Sequence, residues 1–359
     1  MSGASAMELC PDCGEDLVAE ARYCEACGAS VTGEVNGGEV GGGPAVGRPE
    51  AKPTGTSDAA PGCVQCGAVV GDDGYCTSCG LRALEAIAVE DQDSCAYATH
   101  RGRRHPRNED AATLATTSEG WPVVVVADGV SASPNPHLAA AAAVAAVAGE
   151  LDGQPFTGPD HLRQAILVAH EAASEVPAEG DPLWTVDGTH PACTIVIGVA
   201  TADGVHVANI GDARAYLVTA GEERSAVQMS TDDSVAALAV REGIEPAAAL
   251  TLPGGHAITA WLGADAPAPK VHLATRAAAP GDLLLACSDG LWNYAPTDES
   301  LAERVNAALP ARPEPVLAAK ACEELVAWAI DQGGSDNICV ALAPATTDAA
   351  PSEQEDQAS

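Results

Sequence analysis

Positive charge is what this chain has least of. Only 17 of its 359 residues are lysine or arginine, against 51 aspartates and glutamates, for a formal net charge of −34. A surface this acidic repels phosphate backbones and anionic headgroups, which excludes nucleic acid and membrane surfaces as partners. Long apolar runs are missing too. Nothing reaches the ~18 residues that a membrane-spanning helix needs, and the alanine stretch from Leu138 to Val147 is too short. The opening "MSGASAMELCPDCG" has neither a basic start nor an apolar segment, so no secretory leader is expected and the chain reads as cytoplasmic. Aromatic residues, at 3%, are scarce without pointing to any function. The length allows two or three domains with a sizeable core.

Cysteine, by contrast, is plentiful and patterned. Eight of the thirteen form four C-x-x-C pairs: Cys10 with Cys13, Cys24 with Cys27, Cys63 with Cys66, and Cys76 with Cys79. The other five (Cys95, Cys193, Cys287, Cys322, Cys339) sit in apolar segments, where cysteine behaves as a small buried hydrophobe. Two pairs supply four thiolates, the number that a closed tetrahedral zinc site takes. Each pair is followed by glycine (Gly14, Gly28, Gly67, Gly80), which lets the knuckle turn tightly around the sulfurs. Segments this short cannot bury a core, so metal supplies their folding energy. Redox pairs or a disulfide staple fit less well without a βαβ context. The arrangement resembles a double zinc ribbon holding up to two structural Zn2+. Each set closing its own site, or pairs interleaving across the linker, both stay open. Closed sites leave no coordination position for chemistry, so the ribbons serve to bind a protein partner or as spacers.

The expected organisation follows. Residues 8–30 and 63–82 are ribbon halves, 31–62 a Gly/Pro-rich flexible linker, 88–344 a globular domain and 345–359 a disordered acidic tail. Within the globular part, "PHLAAAAAVAAVAGEL", "HLRQAILVAHEAASEV" and "VLAAKACEELVAWAID" read as helices. "PVVVVAD", "GDLLLAC" and "NICVALAPA" read as strands, and "ACTIVIGVATADGVHVANIGDARAYLVT" as successive antiparallel strands turning at Asp203-Gly204. Hairpin-joined strands with helices set apart give an α+β class.

Six acids stand out, the last four of them where a strand meets a turn or just before a final strand, and an acid at a core strand's end is costly unless a positive charge meets it. The positions are Glu109 and Asp110 in "RNEDA", Asp128 in "VADGV", Asp212 in "IGDAR", Asp289 in "SDGLW" and Asp336 in "GGSDN". Strand ends converge on one edge of a sheet, so these carboxylates can meet in one cleft. Hard divalent cations prefer such all-oxygen donors and keep several waters. A glycine after Asp128 leaves a carbonyl open as a further donor. Any single Asp-Gly pair also serves simply as a turn.

Taken in order, "HPRNEDA", "VVADGV", "VANIGDARAYLV", "TDDS", "ITAWLG", "LACSDGLW" and "GGSDNICVAL" resemble the motif series of the metal-dependent, type 2C serine/threonine protein phosphatases, over roughly residues 95 to 343. The resemblance implies a four-layer αββα sandwich, two antiparallel sheets flanked by helices, with a two-metal site of Mn2+ or Mg2+ at one edge. It implies Asp128 as the carboxylate bridging both cations, the Gly129 carbonyl on one of them, and Asp289 and Asp336 completing the other shell. Glu109 and Asp110 would act through bound water, Asp110 as a further metal-site residue, and Asp212 with Asp289 would hold a third cation. Three positions depart from the family pattern. His105 stands where an arginine usually grips the phosphate, flanked by Arg104 and Arg107, so His105 and Arg104 are the phosphate-binding candidates. Ala213 and Ala260 replace a serine and an arginine. The implied function is hydrolysis of phosphoserine and phosphothreonine in proteins by a bimetal-activated water, opposing a Ser/Thr kinase. The alternative is a non-catalytic sensor of the same fold that binds a phosphorylated partner.

Overall fold

The computed structural model describes residues 8–9, 16–17, 68–69, 78, 85–180, 189–221, 223–309 and 318–345. The chain divides into two compact units, Met1–Ala83 and Leu84–Ser359. In the first, β1 (Glu8–Leu9) and β2 (Asp16–Leu17) form a small antiparallel pair with Glu8 opposite Leu17. The eight expected zinc ligands, Cys10, Cys13, Cys24, Cys27, Cys63, Cys66, Cys76 and Cys79, lie outside the described residues, as does the expected linker 31–62. How those thiols combine into sites therefore rests on the sequence pattern.

The second unit begins with β3 (Ala88–Gln92), β4 (Cys95–His100), β5 (Ala111–Thr116) and β6 (Pro122–Gly129), followed by α1 (Pro136–Leu151) and α2 (Pro159–Ser174). Then come β7 (Cys193–Thr201), β8 (Gly204–Ile210), β9 (Arg214–Thr219) and β10 (Ser225–Gln228), and two short helices, α3 (Val235–Arg241) and α4 (Pro246–Leu250). β11 (His272–Arg276), β12 (Leu283–Cys287), α5 (Asp289–Trp292), α6 (Asp298–Ala308), α7 (Ala318–Gln332) and β13 (Ile338–Pro344) complete it. Six strands make one sheet in the order β10-β9-β12-β13-β4-β3, and five make another in the order β11-β8-β7-β6-β5. All their pairings are antiparallel.

Side-chain alternation explains the layers. In β6 the β-branched run favours an extended chain. Val123 and Val125 enter a core shared with α1 and α2, while Val124 and Val126 enter the core between the two sheets. α1 starts on Pro136, whose fixed φ suits the first turn. It buries Ala140, Ala143, Val144, Val147 and Leu151 at helical spacing. On the opposite side α7 buries Ala321, Cys322, Leu325, Val326 and Ala329 in the core of the six-stranded sheet. The result is helices, sheet, sheet, helices.

Two details differ from the sequence expectations. β7 and β8 form the expected hairpin at Asp203-Gly204, but β9 leaves that sheet and pairs with β10 and β12 in the other. The switch occurs at Gly211, whose φ of 91° a residue with a Cβ rarely adopts. It lets Ala213, Ala215 and Leu217 pack into the inter-sheet core from the second sheet. At the C-terminus, Ala345 belongs to the fold rather than to a tail: it is buried and its N–H donates to the Asp282 carbonyl at 2.8 Å. Residues 346–359 lie outside the described residues. Among the described residues no helix is long and apolar enough to cross a membrane.

Candidate active site

The two sheets bring their acidic ends to one place. Asp128 closes β6 on the same side as Val124 and Val126, the inter-sheet side. Glu109 and Asp110 immediately precede β5, and Asp212 lies in the switch between β8 and β9. From the six-stranded sheet, Asp289 opens α5 just beyond β12 and Asp336 stands just before β13. Burial pushes the Asp128 carboxyl well above the usual carboxylate range, and the charges of Asp110, Asp289, Asp336 and Asp212 push it further. Asp289 is raised by the same causes, burial first and then Asp336, Asp212 and Asp110. Asp110, Asp212 and Asp336 are raised as well, each chiefly by burial.

Neighbouring groups hold these acids in place. Ser288 Oγ donates to Asp110 Oδ2 at 2.7 Å, and Ser131 Oγ to Glu109 Oε2 at 2.6 Å, while Arg107 Nε meets Glu109 Oε1 at 3.2 Å. Asn337, 2% exposed, is the chief tie between the 101–110 loop and β13. Its Oδ1 accepts from the Glu109 N–H at 2.8 Å, and its Nδ2 donates to the carbonyls of Arg101 and Arg107 at 2.8 and 3.1 Å. Trp292 Nε1 donates to the Asp212 carbonyl at 2.9 Å. Sequence reasoning passes over Ser131, Ser288, Trp292 and Asn337. Their one signal is adjacency to the motif acids, since a tie across the fold leaves no local pattern.

A cleft of about 350 Å³ opens over the cluster, lined among others by Asp128, Gly129, Asp212, Asp289 and Asp336. The tight packing explains why residue 129 is glycine. A Cβ there would lie 2.6 Å from the Glu109 carbonyl oxygen and 2.9 Å from the backbone of Pro136. Glu109 and Asp110 do not line the cleft, and neither do Arg104 and His105. Arg104 is exposed, and His105 Nε2 sits 3.2 Å from Asp336 Oδ1. Ala213 packs in the inter-sheet core and Ala260 beside the core under α1 and α2. His256, which carries no sequence signal of its own, does line the cleft.

The donor set suits hydrated divalent cations. Carboxylates this crowded and buried repel one another without a counter-charge. The cleft-lining Thr194 Oγ1 is buried without a hydrogen-bond partner among the described residues, so it is free to meet a bound group. Among the described residues no three His, Cys, Asp or Glu side chains are already drawn together closely enough to hold a metal ion.

Two antiparallel sheets face to face, a helical layer on each outer side and acids of both sheets meeting at one edge are the plan of the sandwich-type protein phosphatases. Serine/threonine phosphatase stp of Listeria monocytogenes (serovar 1/2a) is 28% identical over 251 residues, which span 68% of this chain and 93% of the relative. The crystal structure of the PPM Ser-Thr phosphatase MsPP from Mycobacterium smegmatis, in complex with cacodylate, is similar at 29% identity. It covers 72% of this chain and 98% of its own, with a TM-score of 0.55. The catalytic domain of the serine/threonine protein phosphatase PstP, in complex with 2 manganese ions, matches at 25% identity, covering 72% and 99%, with a TM-score of 0.53. The protein phosphatase 2C family matches residues 98–327, and the double zinc ribbon family matches residues 10–80, the span from Cys10 through Cys13, Cys24, Cys27, Cys63, Cys66 and Cys76 to Cys79. The chain belongs to the protein phosphatase 2C family and carries an N-terminal double zinc ribbon.

Proposed function

We propose that this protein hydrolyses phosphoserine and phosphothreonine in phosphoproteins, reversing the work of a Ser/Thr protein kinase in the cytoplasm. The observation that carries the reading is the convergence of Asp128, Asp212, Asp289 and Asp336, from both sheets, on one cleft. Asp128, the Gly129 carbonyl, Asp289 and Asp336, which line that cleft together, would hold two cations, Mn2+ or Mg2+. Asp212 with Asp289 would hold a third. Bound cations supply an acidified water and neutralise charge at phosphorus. Ser288 fixes Asp110, and Ser131 and Arg107 fix Glu109, so that both carboxylates orient water rather than swing. No side-chain nucleophile is needed; the five unpaired cysteines are all buried. The ribbon unit, with up to two Zn2+, offers a docking surface for a protein partner.

The test is hydrolysis of p-nitrophenyl phosphate and of a phosphothreonine peptide with manganese, with and without chelator. Turnover that requires the cation supports the reading. Binding of the phosphopeptide without turnover would reject it in favour of a non-catalytic sensor.

A further inference from the structure

A phosphate monoester brings up to two negative charges into a cleft already lined by four aspartates. Cations can face only some of its oxygens; the others need donors from the protein. The two basic residues that the sequence offers for this, Arg104 and His105, do not line the cleft. Arg107 is drawn to Glu109 and Arg214 to Asp232, at 3.2 and 2.7 Å. Among the described residues lining the cleft, His256 is the one side chain able to carry positive charge.

Its placement is built rather than incidental. The chain on either side of it is pinned to the start of α3: the Ala236 N–H donates to the Gly255 carbonyl and the Val235 N–H to the Ala257 carbonyl, both at 2.9 Å. A further bridge joins Ser234 to Ile258. The imidazole stacks on Trp292, with ring centroids 6.4 Å apart and 18° between planes. Trp292 in turn is fixed by its bond to the Asp212 carbonyl, and the Arg214 guanidinium carbon lies 3.7 Å from its ring centroid. This stack holds an exposed, donor-bearing ring at the mouth of a cleft whose other ionisable groups are acids.

We propose that His256 is the residue that grips the substrate phosphate in this protein, replacing the arginine that the cleft lacks. The proposal rests on the phosphatase reading above, but binding tests it separately from turnover. Inorganic phosphate is titrated calorimetrically into the magnesium-loaded full chain, as wild type, His256→Ala, His256→Gln and His256→Arg. KM and kcat for p-nitrophenyl phosphate are measured beside it. One charge-assisted donor contributes about tenfold or more in affinity. His256→Ala should weaken phosphate binding and raise KM by about that factor, leaving the magnesium midpoint unchanged. His256→Arg should restore both, and His256→Gln should fall between. Phosphate affinity within twofold of wild type in His256→Ala would overturn the proposal. So would a shifted magnesium midpoint that arginine fails to rescue, because His256 would then act only by propping Trp292 and Asp212. If the alanine variant does not fold, the Gln and Arg variants decide by the same two readings. A wild type that binds phosphate through His256 yet hydrolyses nothing would sink the phosphatase reading and leave the grip standing.

Discussion

At the scale of single residues, one acid serves two opposite ends. Asp289 is buried among Asp336, Asp212 and Asp110, so in the proposed site its charge would help hold cations and would strain the fold without them. Replacing it with asparagine should lower turnover at least ~1000-fold, the scale of losing one catalytic electrostatic element. The chelated protein should melt no lower than wild type, and higher if relief of repulsion dominates. Asparagine can keep the bond from Asn293 Nδ2, now 3.1 Å to Asp289 Oδ2, so the substitution removes little except charge. Kinetics with manganese and a thermal melt in chelator check both halves; activity within tenfold of wild type would remove Asp289 from the site. Asn337 shows what a one-dimensional reading passes over. Its three bonds reach residues more than 200 positions away in sequence, and neither its neighbours nor its spacing announces them.

At the scale of elements, backbone contact sets the geometry of the cleft. Gly290 is the second residue of α5, where the chain entering β13 passes close by, and a Cβ on it would overlap the Asn337 carbonyl. Gly290→Ala should therefore cost about 2–3 kcal/mol by overpacking and lower activity with it. Gly149, on the exposed side of α1, has nothing within 4 Å of such a Cβ. Gly149→Ala should stabilise the domain by about 0.5–1 kcal/mol through helix propensity alone. Chemical denaturation of the two variants separates the effects; equal shifts would refute the packing argument. The same contrast marks what is legible in the sequence. α1 shows itself by a proline start and apolar spacing, β6 by its valines, and the strand-end acids by their turns. The switch of β9 to the other sheet does not show, because a hairpin turn and a sheet-changing turn share one local chemistry. His256 does not show either. A lone histidine after two glycines has no pattern until α3 and Trp292 are seen around it.

For the whole molecule, the acidic cluster makes stability a function of pH and, on the proposed reading, of metal as well. Burial and mutual repulsion raise Asp110 to about 8 and Asp212 to about 7, whereas an unfolded carboxyl titrates near 4. Between those limits the folded, metal-free protein keeps protons that the unfolded chain has lost, so its stability falls as pH rises toward about 8. From pH 6 to 8 ordinary surface carboxylates are already ionised and contribute little to that slope. The chelated protein should thus melt lower at pH 8 than at pH 6, by about 2–4 °C for each kcal/mol lost. If the proposed site takes manganese in its ionised, folded form alone, the ion should reverse the trend. His100, His170 and His206, held below the usual histidine range chiefly by burial, give an opposite slope near pH 6, so a profile still flat in a variant with all three replaced would mean the acids are not mutually strained. The ribbon unit stands outside this balance. Residues 1–83 and 84–359 form separate compact units, so deleting residues 1–83 should leave a domain that folds, takes up manganese and hydrolyses p-nitrophenyl phosphate within about twofold of the full chain. Up to two zinc ions per full chain, and none in the shortened one, should appear on elemental analysis. All eight paired thiolates (Cys10, Cys13, Cys24, Cys27, Cys63, Cys66, Cys76 and Cys79) lie in the deleted segment. A phosphoprotein substrate that the full chain prefers over the shortened one by much more than twofold would give the ribbons their role: recruitment, in which the second site raises the local concentration of the first. Loss of p-nitrophenyl phosphate hydrolysis together with the helical circular dichroism signal would instead show that the catalytic unit needs the ribbons to fold.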